Sequence, residues 1–160
     1  METFFARATP AAVMNDTAAF LAHLAARPDV RPGPVGATGY CMGGALAPRA
    51  AAAYPDRIAA VAAFHPGRLA TDAPDSPHLV APQLRARVYV AAASEDASFP
   101  DDMQARFAAA LAAAGVDHTF ETYPARHGWV LEDTPAYDAA AAERHWQALT
   151  ALLAATLSAG

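Results

Sequence analysis

The only cysteine of the chain lies in a sequence context that suits a catalytic nucleophile. Cys41 stands in the stretch 39–44 (GYCMGG), with one residue between it and a glycine on either side. This spacing is typical of a sharp strand-to-helix turn, in which small flanking residues let the strand and the helix approach closely. At the N-terminus of the following helix, unpaired N–H groups and the helix dipole favour the thiolate, which attacks carbonyl carbon. We therefore predict that Cys41 is a nucleophile.

Two further candidate catalytic residues each follow a predicted strand. Asp96 follows the third strand and His127 follows the fourth. Because the carboxyl ends of parallel strands lie at one edge of the sheet, these side chains should meet Cys41 there. His127 would accept the thiol proton and later protonate the leaving group, while Asp96 would orient the imidazole. Glu95 is the alternative acid, but the turn from Asp96 to Pro100 at the next helix favours Asp96.

Strands that alternate with helices must position these side chains. Apolar periodicity, helix caps and breaks at glycine or proline predict the elements. The predicted strands are 35–40, 58–64, 87–93 and 117–123, the helices are 10–26, 42–53, 100–114 and 134–157, and a surface loop covers 68–82. This order predicts an α/β fold, with a parallel sheet flanked by helices.

Two of the predicted helices carry more detailed expectations. Pro48 lies inside the second helix, where its missing N–H and its ring would cost about 3 kcal/mol or force a kink. The spacing in the last helix predicts an apolar face shared by Trp146, Leu149, Leu153 and Leu157.

Length, charge and cysteine content restrict the function classes. The 160 residues suffice for a single domain, taken as 1–160, and are too few for two ordinary domains. A formal net charge of −5 argues against nucleic acid or an anionic membrane as a partner. No segment approaches the ~18 apolar residues of a membrane span, so we expect a cytoplasmic protein. One cysteine allows no internal disulfide, and no metal or organic cofactor is indicated.

Several segments together resemble the dienelactone hydrolase family of α/β-hydrolases, in which a cysteine elbow replaces the commoner serine elbow. The segments are 39–44, 54–56 (YPD), Asp96 with Pro100, and 126–129 (RHGW). The order nucleophile, acid, base along the chain is also that of α/β-hydrolases. The resemblance implies that Cys41, Asp96 and His127 form a catalytic triad. It also assigns the backbone N–H of Met42 to the oxyanion hole.

The chain departs from that family at its N-terminal end. Family members are usually longer, with strands and a loop ahead of the helix that here begins near Pro10. In the family fold those parts furnish the other half of the sheet and one oxyanion-hole donor, so a partial fold lacking the first strands is implied. Loss of one such donor typically costs about 10² to 10³ in rate. The elbow strand 35–40 should then be an unpaired edge with uncovered apolar faces, through which a homodimer could form.

The favoured function is a hydrolase that cleaves a carboxylic ester or lactone through a thioacyl intermediate. A dienelactone substrate is not implied, because residues 130–132 (VLE) supply no arginine after His127 to clamp a carboxylate. One alternative is a noncatalytic family member that acts as a partner-dependent binding module. Another is a glutamine amidotransferase-like cysteine enzyme, which expects a glutamate two residues after the histidine, where Trp129 stands.

Other residues near the same edge are candidates for the pocket wall. His65 ends the second predicted strand, and Tyr40 precedes the nucleophile. Each could line the pocket or serve only in packing. Further candidates for the wall are Glu95, Arg126 and Trp129, whereas no chemistry is assigned to His23, His78, His118 or His145.

Overall fold

The computed structural model describes residues 7–157, which form a four-stranded sheet with helices on both faces. The elements are α1 (Pro10–Ala26), β1 (Val35–Tyr40), α2 (Met42–Ala53), β2 (Ile58–Phe64), a 3-10 helix (Pro77–Gln83), β3 (Arg87–Glu95), α3 (Asp101–Ala113), β4 (His118–Arg126) and α4 (Ala139–Leu157). The strands pair in the order β1-β2-β3-β4, and every pair is parallel. The predicted α/β class with a parallel sheet is confirmed. Within the described range, no helix has both the length and the apolar character needed to cross a bilayer.

The central strands are buried on both faces, in keeping with their continuous apolar sequences. In β3, Val88 and Val90 belong to one core layer with Phe107 of α3, whereas Tyr89 between them packs in a second layer with Leu149 of α4. A strand directs successive side chains to opposite faces, so β3 contributes to both layers. These two layers hold the carboxyl ends of the strands at one edge of the sheet.

β1 is an edge strand in the part of the chain that the structure describes, because it pairs only with β2. Gly36 and Thr38 are exposed along it. An open cavity of about 370 Å³ lies between β1, α1 and α2, and most of its lining side chains are apolar. Phe20 of α1, on the wall of this cavity, is 69 % exposed. The predicted unpaired edge and uncovered apolar surface are therefore present.

The predicted surface loop 68–82 is wrong in two respects. Its second half forms the 3-10 helix Pro77–Gln83, and Leu69 and Ala81 are buried in the core. A 3-10 helix of one or two turns has too few residues to leave a hydrophobic period in the sequence. A segment rich in proline and aspartate therefore resembles a loop in sequence although its 3-10 helix packs against α2 and α3.

The other element boundaries differ less. β3 and β4 continue to Glu95 and Arg126, beyond the predicted ends at 93 and 123. α2 runs on to Ala53 with Pro48 buried inside it, so the proline does not end the helix. The last helix begins at Ala139 instead of residue 134.

The start and the buried face of α4 both have local causes. Asp138 Oδ1 accepts a hydrogen bond of 2.9 Å from the backbone N–H of Ala141, as an N-cap side chain does. The turns before it prevent helix from forming at Thr134. Trp146 is 56 % exposed, whereas Leu149 of the same predicted apolar face is buried. The buried face of α4 carries His145, Leu149 and Leu152; because His145 is polar, the spacing of apolar residues alone does not reveal this face.

Candidate active site

Cys41 lies on the turn between β1 and α2. Its backbone has φ 53° and ψ −119°, a conformation that residues with a side chain rarely adopt. A Cβ at Gly39 would lie 2.0 Å from the carbonyl oxygen of Gly43, so only glycine fits at Gly39. A Cβ at Gly44 would lie 2.8 Å from the Pro66 side chain. At Gly43, by contrast, a Cβ would meet nothing within 4 Å, so the expected need for a small residue there is not supported by packing.

β3 and β4 bring Asp96 and His127 together at the same sheet edge. His127 Nδ1 lies 2.7 Å from Asp96 Oδ2. Since a carboxylate can only accept, Nδ1 carries the proton and donates it, which leaves Nε2 as a proton acceptor. The Asp96 carboxyl group is almost fully enclosed, whereas 29 % of the His127 side chain is exposed. The buried acid can thus orient a base that reaches the surface of the site.

Ser98 holds the Asp96 carboxylate from its other side. The backbone N–H and the hydroxyl of Ser98 both donate to Asp96 Oδ1, at 2.8 Å and 2.6 Å. These two bonds occupy Oδ1 and present Oδ2 to His127. Ser98 is not among the site residues that the sequence pattern predicts. The Asp-x-Ser order, which favours a side-chain turn of this kind, is the signal that could have found it.

Replacing Ser98 by alanine should lower kcat/KM for an activated ester about 3- to 10-fold, which corresponds to about 0.7–1.4 kcal/mol and is less than the full value of a hydrogen bond to a charged group. The loss is moderate because the Ser98 backbone N–H and His127 still hold the carboxylate. Steady-state kinetics with p-nitrophenyl acetate would measure it. Ser98→Thr keeps the hydroxyl and is the matched control. An equal loss in both variants would contradict the hydrogen bond as the cause.

Cys41 and His127 line one cavity of about 530 Å³ at this edge. The rest of its wall consists of Met42, Ala45, Gly67, Arg68, Glu95, Asp96, Ala97 and Ser98. The Cys41 side chain is exposed, and among residues 7–157 no hydrogen bond joins it to His127. As the first residue of α2, Met42 has a backbone N–H with no helical carbonyl to bind, so it is available to an oxyanion. Over the same residues, no three His, Cys, Asp or Glu side chains are placed to hold a metal ion.

Most of the predicted pocket-wall residues lie elsewhere. The cavity wall includes Glu95 but not Tyr40, His65, Arg126 or Trp129. Arg126 instead pairs with Glu95 on the exposed surface, at 3.2 Å. This ion pair leaves Glu95 poorly suited to orient His127. The rings of Tyr40, His65 and Trp129 pack in the aromatic layer behind the cavity, because their backbone positions direct them toward the core.

A partly buried hydrogen bond connects the elbow to α4. Tyr40 Oη lies 2.7 Å from His145 Nε2, and His145 Nδ1 lies 3.1 Å from the carbonyl oxygen of Ala142. The carbonyl can only accept, so Nδ1 donates to it and Nε2 accepts the hydroxyl proton of Tyr40. Burial lowers the pKa of His145, which agrees with a neutral ring. The residue just before the nucleophile is therefore fixed by a helix distant in sequence.

Comparison with known proteins places the chain among its relatives. The model of the dienelactone hydrolase family matches residues 1–157. A protein of Synechocystis sp. named "Putative carboxymethylenebutenolidase" is 29 % identical over 141 residues, which are 86 % of this chain and 56 % of that protein. A crystal structure named "Putative Dienelactone Hydrolase", from Klebsiella pneumoniae, has a TM-score of 0.85 and 27 % identity, over 94 % of this chain and 63 % of that one.

A further structure shows the same fold. It is a dienelactone hydrolase-like promiscuous phosphotriesterase from metagenomic libraries, with a TM-score of 0.78 and 24 % identity, over 98 % of this chain and 65 % of that one. The chain thus spans between 56 % and 65 % of the length of these relatives. The family match covers nearly the whole sequence, and the parallel sheet has the α/β-hydrolase fold of the solved structures. The chain belongs to the dienelactone hydrolase family.

Proposed function

We propose that this protein is a hydrolase that cleaves a carboxylic ester or lactone, with Cys41 as its nucleophile. The observation that carries the proposal is the shared cavity of Cys41 and His127, with His127 held by the buried carboxylate of Asp96. The strained elbow at Cys41 and the membership of a hydrolase family support it further.

In the proposed reaction, His127 Nε2 takes the proton of the Cys41 thiol, and the thiolate attacks the substrate carbonyl carbon. The oxyanion of the tetrahedral intermediate accepts a hydrogen bond from the Met42 backbone N–H. When the intermediate collapses, the His127 imidazolium protonates the leaving alkoxide and the acyl group stays on sulfur. His127 then takes a proton from water, whose hydroxide attacks the thioester. The carboxylic acid leaves and the thiol is restored. Asp96 remains ionised throughout and stabilises the imidazolium.

The wall of the cavity supports a small, largely apolar acyl group as the substrate class. Met42, Ala45 and Ala97 contribute apolar surface close to Cys41. Arg126, the charged residue before His127, does not line the cavity and pairs with Glu95 at the exposed surface. Short-chain esters and simple lactones are therefore the substrates to test first, and a carboxylate-bearing lactone is the comparison substrate because Arg68 lies on the same wall.

A covalent adduct would test the proposal directly. Brief mixing of the protein with p-nitrophenyl acetate, followed by acid quenching and mass spectrometry, should reveal one acetyl group on the peptide that contains Cys41. Treatment with hydroxylamine should remove it, since thioesters react readily with that nucleophile. Ester turnover with no adduct, or with the adduct on another residue, would reject Cys41 as the nucleophile.

The open edge of β1 favours a second candidate role, as a partner-dependent module. We propose that a second copy of the chain covers this edge. Two identical edge strands can pair about a twofold axis, which satisfies the free N–H and C=O groups of both copies. The same contact would cover Phe20 and the apolar cavity beside β1.

Sedimentation velocity should therefore detect a dimer at micromolar concentration. Phe20→Glu places a charge on the apolar surface and should shift the protein to monomer, with a Kd raised about 10-fold or more. Leu79→Glu introduces the same charge at an exposed leucine of the 3-10 helix, away from β1, and is the matched control. A monodisperse wild-type monomer with a cooperative thermal transition would contradict the proposed self-association.

A further inference from the structure

Backbone strain is concentrated around the candidate site. Among residues 7–157, the non-glycine residues with positive φ are Cys41 (53°), His65 (35°) and Arg68 (58°). Cys41 follows β1 directly and His65 follows β2 directly, so both lie at the carboxyl edge of the sheet. Such conformations cost on the order of 1–3 kcal/mol each and are found mainly where function requires them. The mechanism proposed above uses Cys41 and leaves the strain at His65 unexplained.

The strained backbone places the His65 ring against the catalytic imidazole. The ring centroids of His65 and His127 lie 4.9 Å apart, and the two planes meet at 65°. On another side the His65 ring meets Trp129, also at 4.9 Å and with planes at 81°. The His65 backbone N–H donates to the carbonyl oxygen of Ala91 in β3, at 2.8 Å. His65 is thus fixed at its backbone and enclosed at its ring, with only 2 % of the residue exposed.

A histidine at position 65 lowers the stability of the fold relative to an apolar ring. Within the described part of the chain, neither ring nitrogen of His65 has a hydrogen-bond partner. A buried polar group without a partner is destabilising, whereas a phenylalanine of similar shape would carry no such penalty. Burial and the neighbouring charge of His127 lower the pKa of His65 to about 4. The other titratable groups that act on His65 are Asp96, which raises this pKa, and His145, which lowers it. The ring is therefore neutral at neutral pH.

We propose that His65 is a positioning residue that acts through His127, its ring forming a rigid wall that keeps the His127 imidazole aimed at Cys41. The bond from Nδ1 to Asp96 fixes one point of the imidazole but permits it to rock about that bond. A packed ring beside it removes this freedom, and small misalignments of a catalytic group cost rate steeply. A neutral wall also tolerates the positive charge that His127 gains on taking the thiol proton. This role rests on the proposed function.

Two substitutions distinguish an effect of the flat ring of His65 from an effect of its volume alone. His65→Phe keeps a flat ring, and His65→Leu fills similar volume without one. We expect kcat for p-nitrophenyl acetate to stay within about 3-fold of wild type in His65→Phe and to fall about 10- to 100-fold in His65→Leu, with KM within about 2-fold in both. A wild-type kcat in His65→Leu would overturn the proposal, and so would an equal loss in both variants.

A second measurement reports on His127 without any turnover. The rate at which iodoacetamide alkylates Cys41, followed against pH, measures the thiolate that His127 stabilises. The wild-type and His65→Phe profiles should coincide, and the His65→Leu profile should shift to higher pH. If wild type cleaves no ester but this shift is present, the proposed hydrolase function fails while the positioning role stands. Coincident profiles for all three proteins would overturn the positioning role itself.

Discussion

Replacing Cys41 by alanine is expected to reduce ester hydrolysis to the uncatalysed background, a loss of about 10⁴-fold or more in kcat/KM. Alanine offers no atom that can attack the carbonyl carbon, and no other cysteine exists to replace it. The Cys41 side chain is exposed, so its removal should leave the core and the thermal transition unchanged. The measurement is the initial rate of p-nitrophenyl acetate hydrolysis at matched protein concentration.

The matched control for this prediction is Cys41→Ser. It retains a nucleophilic oxygen on the same strained backbone and should keep weak turnover above that of Cys41→Ala. Alkylation of wild type by iodoacetamide should abolish activity in proportion to the thiol consumed. Undiminished hydrolysis by Cys41→Ala would show that the ester is cleaved elsewhere on the protein.

Replacing Asp96 by asparagine is expected to cost about 10³- to 10⁴-fold in kcat/KM, because it reverses the tautomer of His127. Both donors of Ser98 point to Oδ1, so the amide oxygen of the new side chain will occupy that position. Its NH₂ group then faces His127 Nδ1 and must donate to it. The proton moves to Nε2, where the base needs a free lone pair. The pH dependence of kcat/KM, measured with the same ester, would reveal the loss of the base.

Glu95 supplies a control one residue away. Its carboxylate is exposed and paired with Arg126, so Glu95→Gln should change kcat/KM by no more than about 3-fold. The same comparison decides between the two acids that the sequence left open. A larger loss in Glu95→Gln than in Asp96→Asn would transfer the orienting role to Glu95.

The fold was predictable where local pattern and tertiary burial agree. β2 is a continuous apolar run between Arg57 and His65, and a strand buried on both faces needs no more than that. The elbow was predictable from the glycines around Cys41, since a Cβ at Gly39 would meet the Gly43 backbone and one at Gly44 would meet the Pro66 side chain. Prediction failed where one polar residue decides the structure. Asp138 caps the N-terminus of α4, and the spacing of apolar residues does not reveal the position of this cap.

The candidate site was likewise predictable from the sequence only in part. The sequence placed Cys41, Asp96 and His127 at strand ends, and parallel topology then brings them to one edge. It could not show that Ser98 binds the carboxylate or that His65 packs against His127, because each depends on side-chain directions fixed by distant segments. Ring orientation in a core is decided by packing among several elements, which leaves no periodic mark in the chain.

The hydrogen bond between Tyr40 and His145 has a consequence for the order of folding. It joins residues 105 positions apart, so it closes a large loop and can form only after α4 has docked on the sheet. β1 and α2 can form earlier from neighbouring segments, but Tyr40 remains free to turn until then. As the chain leaves the ribosome, the Tyr40 side chain beside the thiol is therefore fixed late, after all four strands have been synthesised.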